Sequence, residues 1–236
     1  MNVVIFFLLC IVSVVADQKT FVVGTNAEFP PFSYKEGEKI VGFDIDIAKE
    51  VCARLGNKVE FKDMPFEALI PELILGRVDF LAAGMSATEE RAQKVLFTQS
   101  YLQGDPLACV TLINSSCPFS ALKGKTILVN EGYTADMFLS GQQGYQILRL
   151  PAPAEAFIAL KMGKAQGFIT AKSTVDAFLE NQPGVDFHIE AIEGTEESCS
   201  LVFAKTKEDL LQEIQGVLDA MEKDGTVAKY KAKWKL

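Results

Sequence analysis

One short run of residues carries the side chains best suited to hold an anion. The sequence GMSATEER, from Gly84 to Arg91, combines a glycine, two hydroxyl side chains and an arginine. Glycine lets backbone N–H groups approach a ligand closely, and Ser86 or Thr88 can cap the helix that follows. The N-terminus of such a helix favours anions, and an arginine one turn into it could grip a carboxylate with two hydrogen bonds. The segment alone slightly favours a plainer interpretation, in which Arg91 lies on the solvated face of a well-capped helix.

Two phenylalanines, Phe29 and Phe66, lie near the same predicted edge, and Thr134 begins another helix after Gly132-Tyr133. Two aromatic faces could clamp an aliphatic chain or stack on a planar group. The hydroxyl and the backbone amide of Thr134 could add hydrogen-bond donors. Because large aromatic side chains are most often buried in the core, the local pattern alone favours plain packing for both phenylalanines.

The elements that must position these residues alternate between strands and helices. Short β-branched and aromatic runs predict strands, and apolar residues at helical spacing before a glycine predict helices. The alternation predicts an α/β fold with a mainly parallel sheet, in which ligands bind beyond the carboxyl ends of the strands. The predicted strands cover residues 20–24, 59–62, 78–82, 126–129, 167–170 and 201–204, and the predicted helices cover residues 45–55, 66–75, 154–162, 172–179 and 207–223.

A pattern in the first half of the chain recurs in the second half. Residues 76–84 and 163–171 both run from a glycine that ends a helix, through a basic residue, into a short strand that ends at a small residue. The recurrence indicates two similar α/β lobes, although such a pattern is common in α/β proteins.

The composition excludes several classes of function. The 236 residues are 49% hydrophobic and 23% charged, which is ordinary for a globular protein. The formal net charge of −8 is opposite to the basic surface that a nucleic-acid partner needs. His188 is the single histidine, so a multi-histidine metal site is impossible and a histidine-based triad has one candidate. We expect no metal and no cofactor.

The first residues predict export. Residues 3–15 are almost wholly apolar but too few for a comfortable membrane span, and a polar chain follows Ala16. This pattern is typical of a Sec signal peptide, residues 1–16, that leads to the periplasm. No Lys or Arg precedes the apolar run, so a buried N-terminal strand or an uncleaved anchor stays an alternative. The large Leu9 before Cys10 argues against a lipoprotein anchor.

Cleavage after Ala16 would leave Cys52, Cys109, Cys117 and Cys199 in a compartment that permits disulfides. Cys52 lies within a helical pattern, so we expect an inert core thiol. Two of the other three cysteines could pair, and the sequence does not choose among them.

Six motifs, in order and at matching spacing, make the chain resemble the amino-acid group of type II periplasmic solute-binding proteins, family 3. They are VVGTNAEFPPF at 22–32, GFDIDIAKEV at 42–51, FEALIPEL at 66–73, GMSATEER at 84–91, LKGKTILVNEGYTA at 122–135 and DGTVAKYKAKW at 224–234. The resemblance spans nearly the whole chain after the signal peptide. It implies two lobes joined by two crossing strands, each lobe a mixed sheet flanked by helices. One lobe would hold residues 17–103 and 200–236, and the other residues 104–199.

The resemblance also implies a function. A polar or basic amino acid of the arginine, lysine or glutamine class would bind between lobes that close about hinges near residues 101–105 and 195–199. A monomer would then deliver it to an inner-membrane ATP-binding-cassette (ABC) permease. Arg91 would hold the α-carboxylate, and Phe29 and Phe66 would sandwich the aliphatic part of the ligand. The implied ligand-binding residues are Asn26, Glu28, Phe29, Phe66, Gly84, Met85, Ser86, Arg91, Asn130, Glu131, Thr134 and Ala171.

Two positions depart from the pattern of the family. Ala171 stands where an aspartate usually pairs with the α-ammonium of the ligand, and Asn26 stands where many members place an aspartate facing the ligand side chain. An ammonium group buried without an anionic partner is costly. Either another acid supplies the charge, or the ligand is not held as an ordinary α-amino acid. The candidate acids are Glu28, Glu131 and Glu193.

Two other functions stay open. The same scaffold could bind a non-standard ligand as a sensor, or act as a small lyase-type enzyme. Acid–base catalysis needs tuned groups in the cleft, whereas His188 lies far from the motif loops. We therefore expect a binding protein that is not an enzyme.

Overall fold

The computed structural model describes residues 18–115, 117–182, 184 and 186–236. The predicted signal peptide therefore lies outside the described residues. The strands are β1 (Thr20–Thr25), β2 (Glu28–Phe29), β3 (Ser33–Glu36), β4 (Lys39–Val41), β5 (Lys58–Asp63), β6 (Phe80–Leu81), β7 (Val95–Phe97), β8 (Leu102–Leu112), β9 (Thr126–Asn130), β10 (Gln146–Leu150), β11 (Gly167–Ala171), β12 (Phe187–Cys199) and β13 (Val202–Ala204). The helices are α1 (Phe43–Arg54), α2 (Leu69–Ile74), α3 (Glu89–Ala92), α4 (Thr134–Ser140), α5 (Pro153–Lys161), α6 (Lys172–Asn181), α7 (Glu208–Lys223) and α8 (Thr226–Trp234). Within this part of the chain, each helix is too short or too polar to cross a membrane.

Two five-stranded sheets form the framework, and each is the centre of one lobe. The sheet of lobe 1 has the order β5-β1-β6-β13-β7, and the sheet of lobe 2 has the order β10-β9-β11-β8-β12. In lobe 1, β1 is parallel to β5 and β6, whereas β13 is antiparallel to β6 and β7. In lobe 2, β9 is parallel to β10 and β11, whereas β8 is antiparallel to β11 and β12. Both sheets are mixed, which confirms the expected α/β architecture. The mainly parallel sheet predicted from the alternation is wrong, because β13 and β8 join their sheets antiparallel.

The sheet of lobe 2 is buried on both faces, because side chains alternate between the faces along each strand. Leu128 and Phe168 pack on one face against Phe157 of α5. Their neighbours Ile127 and Ile169 point to the other face, which contains Leu139 of α4. Helices therefore cover both faces, and the loops after the parallel strands are left at one edge for binding.

The core of lobe 1 depends on α1. Gly42 precedes this helix with φ 139°, and a Cβ atom there would lie 2.1 Å from the Phe32 carbonyl oxygen, so the approach of chain to helix requires glycine. The helix buries Ile47, Val51 and Cys52. The four cysteines that the structure describes, Cys52 included, are free thiols, so the disulfide considered among the other three is not formed.

Two long strands carry the chain between the lobes. It leaves lobe 1 through β8 and returns through β12, and these strands pair antiparallel with Glu197 opposite Asp105. The ladder is irregular between Ala191 and Glu196 and again between Glu197 and Ser198. Irregularities of this kind bend a strand and redirect its side chains. They lie in the stretch where the sequence places the second hinge.

Candidate functional site

Arg91 is buried where the two lobes meet. Only 6% of the residue is exposed, so the expectation of an arginine on a solvated helix face is wrong. Nη1 donates a hydrogen bond to the Ser86 carbonyl oxygen at 2.9 Å in lobe 1, and Nη2 donates to the Gly132 carbonyl oxygen at 2.9 Å in lobe 2. The guanidinium carbon lies 5.3 Å from the centre of the Phe66 ring. Burial lowers the pKa of Arg91, yet arginine keeps its charge. A fixed cation therefore lies at the interface between the lobes, which we call the seam and which includes Ser86, Arg91 and Gly132.

The helix that carries Arg91 is a single turn. It spans four residues, Glu89–Ala92, and Thr88 caps it by accepting a hydrogen bond from the Arg91 backbone N–H at 3.3 Å. One turn of helix has little dipole, so the positive charge here comes from the guanidinium rather than from a helix N-terminus. Ser86 is not the cap. Its hydroxyl donates to the Ser198 carbonyl oxygen at 2.9 Å and accepts from the Ser198 N–H at 3.1 Å.

Gly84 holds the same loop against the aromatic side chains. Its φ is +59°, and a Cβ atom would lie 2.9 Å from Cε1 of Phe29 and 3.0 Å from Cγ of Phe32. The Gly84 N–H donates to Oδ2 of Asp44 at 2.6 Å. Burial raises the pKa of Asp44 to about 7, although this hydrogen bond opposes the shift. A buried carboxyl group at the start of α1 therefore fixes the backbone of the predicted anion loop.

An unpredicted aromatic residue, Tyr133, fills the space that the ligand side chain was expected to occupy. Its ring contacts Phe29 edge-on, with centroids 4.9 Å apart, and Phe66 at 4.4 Å. Its hydroxyl donates to Oδ1 of Asn26 at 2.8 Å. Tyr133 belongs to lobe 2, whereas the three residues that it contacts belong to lobe 1. The lobes thus meet through the Tyr133 side chain.

Three carboxyl groups influence the pKa of this tyrosine. Burial raises the pKa of Tyr133, and the nearby charges of Glu28, Glu197 and Glu67 raise it further. Burial raises the pKa of Glu197 to about 7, while the Thr134 hydroxyl and the Arg91 charge oppose that shift. The seam therefore combines one buried cation with an acidic surround, an arrangement suited to a ligand that carries both charges.

The structure brings part of the predicted set together and leaves part outside. Asn26, Phe29 and Phe66 meet at Tyr133, and Gly84, Ser86 and Arg91 form the loop beneath. Two other predicted residues are buried: the Met85 carbonyl oxygen accepts a hydrogen bond from the Ser200 N–H, and the Asn130 amide donates to the Leu150 carbonyl oxygen. Thr134 begins α4, and Ala171 ends β11 within the seam. Glu28 and Glu131 are exposed.

Comparison with known proteins places this geometry in a family. Residues 21–236 match the bacterial extracellular solute-binding proteins, family 3. The chain belongs to this family. The arginine-binding extracellular protein ArtP of Bacillus subtilis is 27% identical over 222 residues, which cover 93% of this chain and 87% of that protein. A probable histidine-binding protein of Campylobacter jejuni is 32% identical over 209 residues, with 87% and 81% covered.

A solved structure extends the likeness to the fold. An ancestral arginine-binding protein bound to arginine superposes with a TM-score of 0.86 at 35% identity, over 92% of this chain and 98% of that chain. The family consists of solute-binding proteins, so the expectation of a binding protein rather than an enzyme is confirmed. The two-lobed fold implied by the motifs is confirmed as well.

Two residues at the seam escaped the sequence interpretation, Tyr133 and Glu197. Tyr133 stands between Gly132 and Thr134, both of which the motif contains, and an aromatic residue next to a ligand-facing threonine was a usable signal. Glu197 has no local signal, because only the pairing of β12 with β8 brings it to the seam.

Proposed function

We propose that this protein binds a polar or basic amino acid of the arginine, lysine or glutamine class and delivers it to an ABC permease. The buried Arg91 carries the proposal. A cation at the seam between two lobes, with three of its five N–H donors free of the hydrogen bonds described above, suits the α-carboxylate of an amino acid. The names of the arginine- and histidine-binding relatives support the ligand class.

The charges near the aromatic side chains favour a cationic side chain on the ligand. Glu28, Glu67 and Glu197 all act on the Tyr133 hydroxyl, so a guanidinium or ammonium group placed there would be attracted. Phe29 and Phe66 would pack on the aliphatic part of such a ligand, and the Asn26 amide would face its polar end. Because the Tyr133 ring lies in this space, a long side chain enters only when the ring moves aside.

The binding motion follows from the way the chain crosses between the lobes. Opening about residues 101–105 and 195–199 would separate Tyr133 from Asn26 and Gly132 from Arg91, and would expose the lobe 1 half of the site. A ligand favours closure only through contacts that it makes with both lobes. Gly84, Met85 and Ser86 would line the lobe 1 side, and Asn130, Glu131, Thr134 and Ala171 the lobe 2 side. The lobes would comprise residues 17–103 with 200–236, and residues 104–199.

Calorimetric titration with L-arginine, L-lysine, L-glutamine and L-histidine tests the proposal. The purified protein should bind at least one of them, and Arg91→Ala should weaken that binding by more than about 30-fold, because a buried ion pair loses one partner. Circular dichroism of the variant controls for folding. Absence of binding by the wild-type protein, or full binding by a folded Arg91→Ala variant, would contradict the proposal.

The cellular part of the proposal has its own test. After Sec export and cleavage at Ala16, a monomer would work in the periplasm without a lipid anchor. Fractionation of cells that express the full chain, with mass spectrometry of the mature N-terminus, tests both steps. Co-purification with an inner-membrane ABC permease supports transport, and its absence together with capture of a signalling receptor would favour the sensor.

A further inference from the structure

The seam lacks an acid at the position that the family reserves for the α-ammonium of its ligands. Ala171 is 2% exposed and packs in the apolar cluster that also holds Phe29, Phe66 and Tyr133. An α-ammonium group lies within a few ångströms of the α-carboxylate in every amino acid. A replacement acid must therefore stand close to Arg91, on the inner side of the cleft.

Only two carboxyl groups in the described part of the chain act appreciably on Arg91, namely Glu197 and Glu90. Glu90 is exposed on α3 and pairs with Lys94 at 2.9 Å, so it faces solvent. Glu197 lies inside. Its neighbour Ser198 exchanges two hydrogen bonds with Ser86, whose carbonyl oxygen accepts from Arg91. This short chain of contacts holds Glu197 next to the proposed carboxylate site.

Other acids near the seam are already engaged or are exposed. Asp105, opposite Glu197 in the ladder, accepts hydrogen bonds from the backbone and the hydroxyl of Ser173 at 3.1 and 2.6 Å. Asp44 holds Gly84. Of the acids that the sequence offered, Glu28, Glu131 and Glu193 are all exposed.

We infer that Glu197 is the specificity-determining carboxylate of the site and pairs with the α-ammonium of the ligand, while Arg91 holds its α-carboxylate. This inference rests on the proposed function. The ladder is irregular between Glu197 and Ser198, and the Thr134 hydroxyl of lobe 2 lies close enough to lower the pKa of Glu197. An acid on a crossing strand can reach a ligand from the hinge side, so the site needs no aspartate at the end of β11.

The titration of Glu197 gives the inference a second readout. Burial raises its pKa to about 7, Asp105 raises it, and Arg91 lowers it; Tyr133 and Cys199 are its other titratable neighbours. An ammonium group beside the carboxylate lowers that pKa. The empty site thus holds a proton on Glu197 below pH 7 and releases it on binding, so affinity should fall as the pH drops from 8 to 6.

The experiment compares amino acids with counterparts that lack the α-amino group. Calorimetry uses three pairs of probes: L-arginine with 5-guanidinopentanoic acid, L-lysine with 6-aminohexanoic acid, and L-glutamine with glutaramic acid. Glu197→Gln should weaken binding of the amino acid by about 30-fold or more, in line with the loss of one partner of a buried ion pair, and change binding of its counterpart by less than about threefold. Proton release at pH 7, measured in buffers of different ionisation enthalpy, should disappear in Glu197→Gln.

Glu196→Gln is the matched control, because Glu196 is the exposed neighbour on the same strand, and it should bind as the wild type does. Unchanged amino-acid binding by Glu197→Gln overturns the inference, as does an equal loss for both members of a pair. A selective loss in Glu28→Gln instead would assign the role to Glu28. If the wild type binds no amino acid at all, the proposed function fails first and this inference fails with it.

Discussion

The lobe 1 half of the site and the lobe 2 half follow the family pattern to different degrees. Lobe 1 keeps the loop of Gly84 and Ser86, the buried Arg91 and both phenylalanines, and these residues lie close to one another. Lobe 2 has Ala171 where the family pattern has an acid, and its Tyr133 ring packs against Phe29 and Phe66. In the proposed function Arg91 of lobe 1 would hold the α-carboxylate, whereas Glu197 on the crossing strand β12 would hold the α-ammonium. The parts of the seam that lobe 2 and the crossing strands supply are where this chain differs.

The largest effect is expected from a change of Arg91 in the lobe 1 half of the site. Arg91→Lys keeps the charge, but one ammonium group cannot span the Ser86 and Gly132 carbonyl oxygens and a carboxylate in the same fixed geometry. Loss of charged hydrogen bonds at about 1.5–3 kcal/mol each predicts roughly 10- to 100-fold weaker binding by calorimetry. Binding equal to that of the wild type would show that Arg91 acts only as a point charge.

The second change tests the lobe 1 loop that contains Gly84 and Ser86. Gly84→Ala should lower the free energy of unfolding by about 2 kcal/mol, because a left-handed φ strains alanine and its Cβ would overlap Phe29. Gly37→Ala is the matched control, since Gly37 has the same φ of +59° with nothing within 4 Å of its Cβ. Urea denaturation should show a smaller loss for Gly37→Ala, and only Gly84→Ala should weaken ligand binding. Equal losses would remove the role of the Phe29 contact.

The third change tests the role of Tyr133 in the lobe 2 half of the site. Tyr133→Ser removes the ring that a long ligand side chain must displace, so affinity for such amino acids should rise by about tenfold, from aromatic contacts worth about 1 kcal/mol each. Tyr133→Phe loses only the hydrogen bond to Asn26 and should shift affinity by less than about fivefold. Tyr145→Phe, in a ring that stacks on Phe119 within lobe 2, is the calorimetric control. Weaker binding by Tyr133→Ser would mean that the tyrosine contacts the ligand instead of competing with it.

The smallest effect concerns Asp44. Its pKa of about 7 in the folded protein exceeds its ordinary value of 3.8, so its protonated form is favoured by folding. Its contribution to stability is complete below about pH 3.8 and is lost as the pH rises through 7. Asp44→Asn should therefore lose a few degrees less in Tm between pH 5 and pH 8 than the wild type, about 2–4 °C per kcal/mol. If calorimetric scanning showed the same loss of Tm between pH 5 and pH 8 in both proteins, the raised pKa of Asp44 would be contradicted.

The sequence predicts much of the fold because the signals are local. The helical spacing of Ile45, Ala48 and Val51 identifies α1, and the β-branched run after Thr20 identifies β1. Lobe 2 strands such as β8 and β12 were not predicted as strands, since they are long, contain charged residues and are defined by their mutual pairing. Their register depends on contacts far apart in the chain.

The residues of the site could likewise be predicted where the signal is local, and not where it depends on contacts far apart in the chain. Arg91 and the phenylalanines were found through motifs, although local pattern alone assigned them to a solvated face and to plain core packing. Tyr133 stands beside residues that the motif assigns to the site, but no local pattern shows that its hydroxyl reaches across to Asn26. Glu197 and Arg91 are brought together only by the return of β12 to lobe 1, which no spacing in the sequence reveals.

A crystal structure of the protein with L-arginine, or with whichever amino acid binds in calorimetry, would show directly which residues hold the two charged groups of the ligand. The α-carboxylate should lie on Arg91, the α-ammonium should lie on Glu197, and the Tyr133 ring should have moved away from Phe29 and Phe66. A ligand bound elsewhere, with the hydrogen bond from Tyr133 to Asn26 still in place, would contradict it.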